Sequence, residues 1–170
     1  MGLPPIGVQT RLRGQLGEGL VVAELARRNI YATSFAGNVP DIDLLAYYGS
    51  NTLALQVKAW RLGAISFNAK RFLEIEFDEP RQIVQGIVEG LDPHLIYVFV
   101  RIGQTAGNDR YFVLNQKKIA EIVRDNHVNF LARHNGIRPR NWQSTHCAVH
   151  LRNLVKFENN WELIDNALIG

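Results

Sequence analysis

The stretch Pro40–Lys58, PDIDLLAYYGSNTLALQVK, limits what this chain can become more than any other. Two apolar runs, Leu44-Leu45-Ala46-Tyr47-Tyr48 and Leu53-Ala54-Leu55, flank Gly49-Ser50-Asn51, whose residues suit a tight turn. They predict two neighbouring antiparallel strands. Side chains alternate across a strand, so Gln56 and Lys58 share one face while Val57 takes the other. The hairpin sets that pair opposite the start of the first strand, where Asp41 and Asp43 lie. A carboxylate, an amide oxygen and an ammonium group then converge at one end of a sheet. A half-buried lysine loses hydration, so packing alone does not account for it.

That constellation suits divalent-metal hydrolysis of a phosphodiester. Carboxylate and carbonyl oxygens are the ligands Mg²⁺ prefers, and the ion keeps waters for substrate and nucleophile. A neighbouring Lys can orient the attacking water or neutralise charge developing on the phosphate. The stretch resembles the PD-(D/E)xK nucleases, the restriction-endonuclease-like superfamily, in the variant whose third acidic position is Gln. Pro40-Asp41 or Asp43 matches the first part of the motif and Gln56-Val57-Lys58 the second. Asp43, thirteen positions before Gln56 and followed by Leu-Leu-Ala-Tyr, is similar in spacing to archaeal Holliday-junction resolvases. Asp41 carries the literal Pro-Asp dipeptide, and its plainer reading is a turn residue at strand entry. Asp43 is the favoured ligand, and Asp41 stays a second candidate on the same face.

The resemblance implies an α/β fold, a restriction-endonuclease-like mixed central sheet flanked by helices. It implies a metal-dependent DNA endonuclease, with Asp43, Gln56 and the Val57 carbonyl on Mg²⁺ (or Mn²⁺) and Lys58 positioning or activating water. In the family a first-helix Glu supports the metal, and Glu18 fits that place; its plainer reading is a favourable interaction with the helix dipole. Gln in place of Glu removes one negative charge. The alternative is therefore a catalytically inactive nuclease-fold module that binds nucleic acid or protein, and an enzyme acting on another phosphate substrate is also open. Cutting both strands takes two sites, so a homodimer is expected by analogy.

A chain of 170 residues, 46% hydrophobic and 21% charged, is expected to form a single domain with a substantial core. No apolar run approaches the ~20 residues that span a bilayer, which argues against a membrane protein, and with no signal-peptide pattern a cytoplasmic location is expected. One cysteine, Cys147, excludes an internal disulfide framework. Net charge is only +3, yet residues 101–156 carry ten Lys/Arg against Asp109, Glu121 and Asp125. Such asymmetry is the footprint of a polyanion binder, or simply of a soluble surface. Arg133, Arg138, Arg140 and Trp142 are the candidates there for contacts to a nucleic-acid backbone, and Trp60 and Arg61 those beside the catalytic strand. Each Trp has a plainer reading as a core or loop anchor.

Elsewhere, residues 1–13 read as an N-terminal arm and 15–29 as a helix. Residues 30–34, 72–77, 95–100, 110–114 and 147–151 read as strands. Residues 81–89 read as a helix opened by Pro80, and 116–124 as a helix that can continue to His134. Residues 115–170 are expected to form a basic C-terminal part packed on the core. Gly37-Asn38 reads as a turn. His127, His134, His146, Cys147 and His150 do not make a structural zinc site, since no cysteines are closely spaced and His146 and His150 would lie ~13 Å apart on a strand. A Cys/His nucleophile pair and an HNH-type centre are set aside for lack of their other elements.

Overall fold

The apolar alternation in the first half of the chain drives strand pairing, and the longer-period stretches coil into helices. The computed structural model describes residues 6–35 and 40–169. In chain order these form α1 (Ile6–Arg27), β1 (Tyr31–Ser34), β2 (Leu44–Tyr48), β3 (Asn51–Trp60), β4 (Ile65–Asn68), β5 (Leu73–Asp78) and β6 (Arg81–Ile87). There follow β7 (Ile96–Arg101), β8 (Arg110–Asn115), α2 (Gln116–Ala132), β9 (His146–Val149), the short α3 (Leu151–Leu154) and α4 (Glu162–Ile169). The chain divides into two compact units. One is built from Met1–Gly63, His94–Asn115 and Leu154–Gly170, the other from Ala64–Pro93 and Gln116–Asn153.

The first unit is a mixed α/β layer structure around a five-stranded sheet in the order β1-β2-β3-β7-β8. Its pairs are antiparallel except β3 with β7, which run parallel. Register follows the alternation: Leu53, Leu55 and Val57 of β3 join Leu44 and Ala46 of β2 and Val98 and Val100 of β7 in one apolar cluster. Helices α1 and α4 cover that face, contributing Val21, Leu25, Ile164 and Leu168. Gly17 brings α1 close to the sheet, since a Cβ there would lie 2.4 Å from the Cβ of Ala59. The other face buries Gln56, Trp60, Tyr97, Phe99 and Phe112, with the rings of Tyr97 and Phe99 stacked at 6.1 Å between centroids.

In the second unit β5 and β6 form a hairpin and β4 pairs with β9. Helix α2 lays Ile119, Ala120, Val123, His127 and Leu131 inward, the three-and-four spacing of an amphipathic helix. Gln82 of β6 is buried, and its amide Nε2 donates to the carbonyls of Trp142 and Ser144. Among the described residues no helix is long and apolar enough to cross a membrane.

Two expectations give way here. Residues 81–89 are not a helix: Arg81 pairs with Asp78 across Glu79-Pro80, so Pro80 closes a hairpin instead of opening a helix. The β-branched Ile83 and Val84 and the following Gly86 weaken any helical tendency, and pairing with β5 decides the matter. Helix α1 begins at Ile6, so residues 6–13, read as an arm, belong to it, with Arg13 Nε donating to the Gln9 carbonyl 3.2 Å away. Residues 1–5 and the expected Gly37-Asn38 turn lie outside the described residues.

Candidate active site

The site forms where β1 ends, β2 begins and β3 passes both. Asp43 stands one residue before β2, and its N–H donates to the Leu55 carbonyl at 2.9 Å. Its carboxylate Oδ2 accepts the N–H of Val57 at 2.7 Å. The side chain thereby extends the β2–β3 ladder by one rung beyond the last backbone pair, Leu44 with Leu55. N–H and C=O of one residue point to the same edge of a strand, so the Val57 carbonyl turns to the Asp43 side as well.

Gln56 and Lys58 lie on the face opposite Val57, as alternation requires, beside Tyr97 and Phe99 in the parallel register. Gln56 is only 5% exposed, and its Oε1 has no hydrogen-bond partner among the described residues. Lys58 is half-buried. Burial pulls its ammonium below the ordinary lysine range, and the nearby Asp43 carboxylate partly restores it. Helix α1 brings Glu18 to the same end of the sheet, where the Ser34 hydroxyl donates to it. Its carboxyl is pushed above the usual range, first by burial and then by the like charge of Asp43, with the Ser34 bond opposing.

Asp43 thus sits within electrostatic reach of both Glu18 and Lys58. Asp41 adopts a left-handed backbone, φ 65°, in the turn that enters β2, a conformation Asp tolerates better than most residues. The described residues hold no group of three His, Cys, Asp or Glu placed to take a metal ion. The oxygens that could serve a cation at this end are two carboxylates, an amide oxygen and a main-chain carbonyl. That set fits a hard cation: the buried Gln56 oxygen has no partner among the described residues, and the like charge of Asp43 adds to burial in raising the cost of ionising Glu18.

Beyond Lys58 the same face of the sheet continues to Trp60 and Arg101, which are paired in register, and then Arg110. Trp60 is 5% exposed with its ring 6.0 Å from that of Phe112, so it is a core side chain and offers no stacking face to a base. The packing need of a strand buried on both faces overrides its position next to Arg61. Arg61 is exposed and lines a cleft of about 510 Å³ with Arg101 and Arg110. Arg110 is occupied by Glu158, its Nε and Nη2 at 2.6 and 2.7 Å from the two carboxylate oxygens. In the second unit Arg133 and Arg138 line one cavity, and Arg140 is exposed. Trp142 is half-buried, its ring edge-on to Phe77 at 5.9 Å.

Sequence reasoning missed Ser34 and Arg101. Arg101 had a readable signal, an arginine closing the apolar run Leu95–Val100. Ser34 had none, since only the pairing of Ser34 with Leu44 brings it to Glu18.

No protein-family model matches this chain, and no curated protein matches it. Among solved structures it is similar to a bacterial homing endonuclease, with 10% identity, 91% of this chain and 92% of that chain covered, and a TM-score of 0.48.

Proposed function

We propose that the first unit carries a metal-dependent DNA endonuclease centre of the PD-(D/E)xK, restriction-endonuclease-like type, in its Gln variant. The observation that carries this reading is the partnerless Oε1 of buried Gln56, two residues before Lys58 and next to the rung that Asp43 makes with Val57. A buried acceptor left unpaired costs about 1–3 kcal/mol, a penalty a bound cation offsets. Asp43, Glu18, Gln56 Oε1 and the Val57 carbonyl would hold Mg²⁺ or Mn²⁺, all oxygen donors of the kind such ions take. The ion would supply Lewis-acid polarisation of the phosphate and a more acidic bound water.

The chain's own groups do the rest. The hydrogen bond from Val57 fixes the Asp43 carboxylate, so its other oxygen keeps one direction. Lys58 Nζ, whose ammonium burial disfavours, orients the attacking water, and that water's proton passes to solvent as its oxygen bonds to phosphorus. The bond from phosphorus to the leaving sugar oxygen breaks, and that oxygen takes a proton from solvent. Arg61 and Arg101 hold neighbouring phosphates by charge-assisted hydrogen bonds. On the second unit Arg133, Arg138, Arg140 and the Trp142 edge are the groups that would meet the sugar-phosphate backbone. A homodimer would supply a second centre for the opposite strand.

The neutral Gln56 favours a second reading, a nucleic-acid-binding module that no longer cuts. One experiment separates the two. Purified protein is incubated with linear, branched and supercoiled DNA, with Mg²⁺, Mn²⁺ or chelator, beside Asp43→Ala and Lys58→Ala. Metal-dependent nicking lost in both variants is the expected result. Cleavage that survives both substitutions overturns the assignment, and salt-sensitive binding without cleavage by the native chain favours the module.

A further inference from the structure

A basic concavity of the second unit takes no part in the hydrolysis itself, although Arg133 and Arg138 on its wall are named above for the sugar-phosphate backbone. It encloses about 860 Å³ between α2, the loop after it and β9, within the ~300–1,000 Å³ typical of small-molecule sites. Arg133, Arg138, Arg152, His127, His146 and His150 line it, and among the described residues no carboxylate does. Among the described residues no carboxylate pairs with these arginines. Arg133 Nε donates to the Asn129 carbonyl at 3.1 Å, and the Arg138 guanidinium lies 4.5 Å over the Phe130 ring. Three guanidiniums sharing a cavity repel one another, and burial weakens the Arg138 cation further. An anion is what such a wall lacks.

The histidine behind this wall is held neutral by a fixed network. His127 is 1% exposed and its Nε2 lies 3.0 Å from Gln82 Oε1. The Gln82 amide nitrogen already donates to the Trp142 and Ser144 carbonyls, so its oxygen faces the imidazole and must accept. Nε2 therefore carries the proton, and Nδ1 is a lone pair with no partner among the described residues. Asn126 and Asn153, hydrogen-bonded to each other at 3.2 Å, add neutral amides to the same wall. Cys147, its thiol pushed up to about 11 by burial, stays protonated and is no nucleophile here. The wall thus offers forked cations beside neutral amides, which suits a phosphate group.

We propose that this cavity is a phosphate-binding site, taking the phosphate of a nucleotide that is either free or the end of a nucleic-acid strand. It is a binding site and requires no chemistry at Asp43 or Lys58. The full chain is titrated calorimetrically, in chelator and at matched ionic strength, with inorganic phosphate, thymidine monophosphate, thymidine, and a short oligonucleotide with or without a 5′-phosphate. Arg138→Gln and Arg152→Gln are titrated in parallel, with circular dichroism to verify folding. Saturable binding of the monophosphate, absent for thymidine and weakened tenfold or more by either substitution, is expected for a free nucleotide. Binding confined to the 5′-phosphorylated oligonucleotide, with the same dependence on the arginines, identifies a strand end as the source. If no phosphate-bearing probe saturates, or both variants bind as the native chain does, the proposal is overturned. Should Arg138→Gln fail to fold, the exposed Arg152 alone decides. Cleavage is not measured, so this result stands or falls apart from the nuclease assignment.

Discussion

Replacing Gly17 by Ala tests how α1 is seated, and with it the position of Glu18. In an open helix Gly→Ala stabilises by about 1 kcal/mol, because alanine has less backbone freedom to lose. At this position the new methyl would lie 2.4 Å from Ala59 Cβ, with Val57 Cγ1 at 3.5 Å and Ala59 Cα at 3.7 Å. Carbon–carbon contacts are comfortable at ~3.5–4.0 Å, so α1 must lift by roughly 1 Å. Overpacking of this kind costs about 1–3 kcal/mol. The opposing effects leave Gly17→Ala less stable by about 1 kcal/mol, with Glu18 moved off its Ser34 and Asp43 neighbours. Ala59→Gly removes the opposing methyl and alone costs about 0.5–1 kcal/mol as a glycine in a strand. The pair is therefore non-additive: the double variant should recover about 1–3 kcal/mol relative to the sum of the single changes. Urea denaturation of the four proteins, followed by circular dichroism, measures the cycle. A Gly17→Ala chain that is more stable by the full helix-propensity gain, and additive with Ala59→Gly, would refute the close approach.

Other consequences follow from single contacts. Gln82→Ala should destabilise the second unit by about 2–4 kcal/mol, since it strands two carbonyls and the buried His127 nitrogen; a loss below 1 kcal/mol in a denaturation midpoint would contradict that network. Burial holds His127 neutral, its pKa down to about 4 against 6.5 in an open chain. The unfolded chain then binds the extra proton between those values, so stability is complete above pH 6.5 and falls as pH drops toward 4, by at most about 3 kcal/mol. His127→Asn should flatten that slope, and an unchanged slope would show the proton goes elsewhere. The Glu158 carboxyl, held below its usual range by Arg110, contributes stability above that range which disappears as the carboxyl protonates. Since both partners are partly exposed, Glu158→Gln should cost no more than about 1 kcal/mol and less in high salt. Gln56→Glu places a third negative charge beside Glu18 and Asp43. It should lower the melting temperature in chelator yet raise Mg²⁺ affinity tenfold or more, read by metal-dependent thermal shift; no gain in affinity would argue that position 56 does not face the ion.

Local pattern was enough for the β2–β3 hairpin, because a two-residue alternation read over ten residues leaves one register that buries Leu53, Leu55 and Val57 together. It also placed Gln56 and Lys58 on the face away from Val57 and located α2, whose inward residues recur at helical spacing. Other features depended on residues far apart in sequence. Pro80 reads locally as a helix start, and pairing with β5 made it a hairpin turn instead. Trp60 next to Arg61 reads as a nucleic-acid contact or, more plainly, a core anchor, and β8 decides for the core by setting Phe112 against it. The meeting of Glu18 with Ser34 and Asp43 needs a helix, an edge strand and a strand entry brought to one end of the sheet. Likewise the arginines and histidines of the second unit acquire a common cavity only when α2 lies along β9. Periodicity reports which face of an element is apolar. Which polar groups become neighbours is settled by burial of those faces against one another, and that free energy belongs to the whole chain.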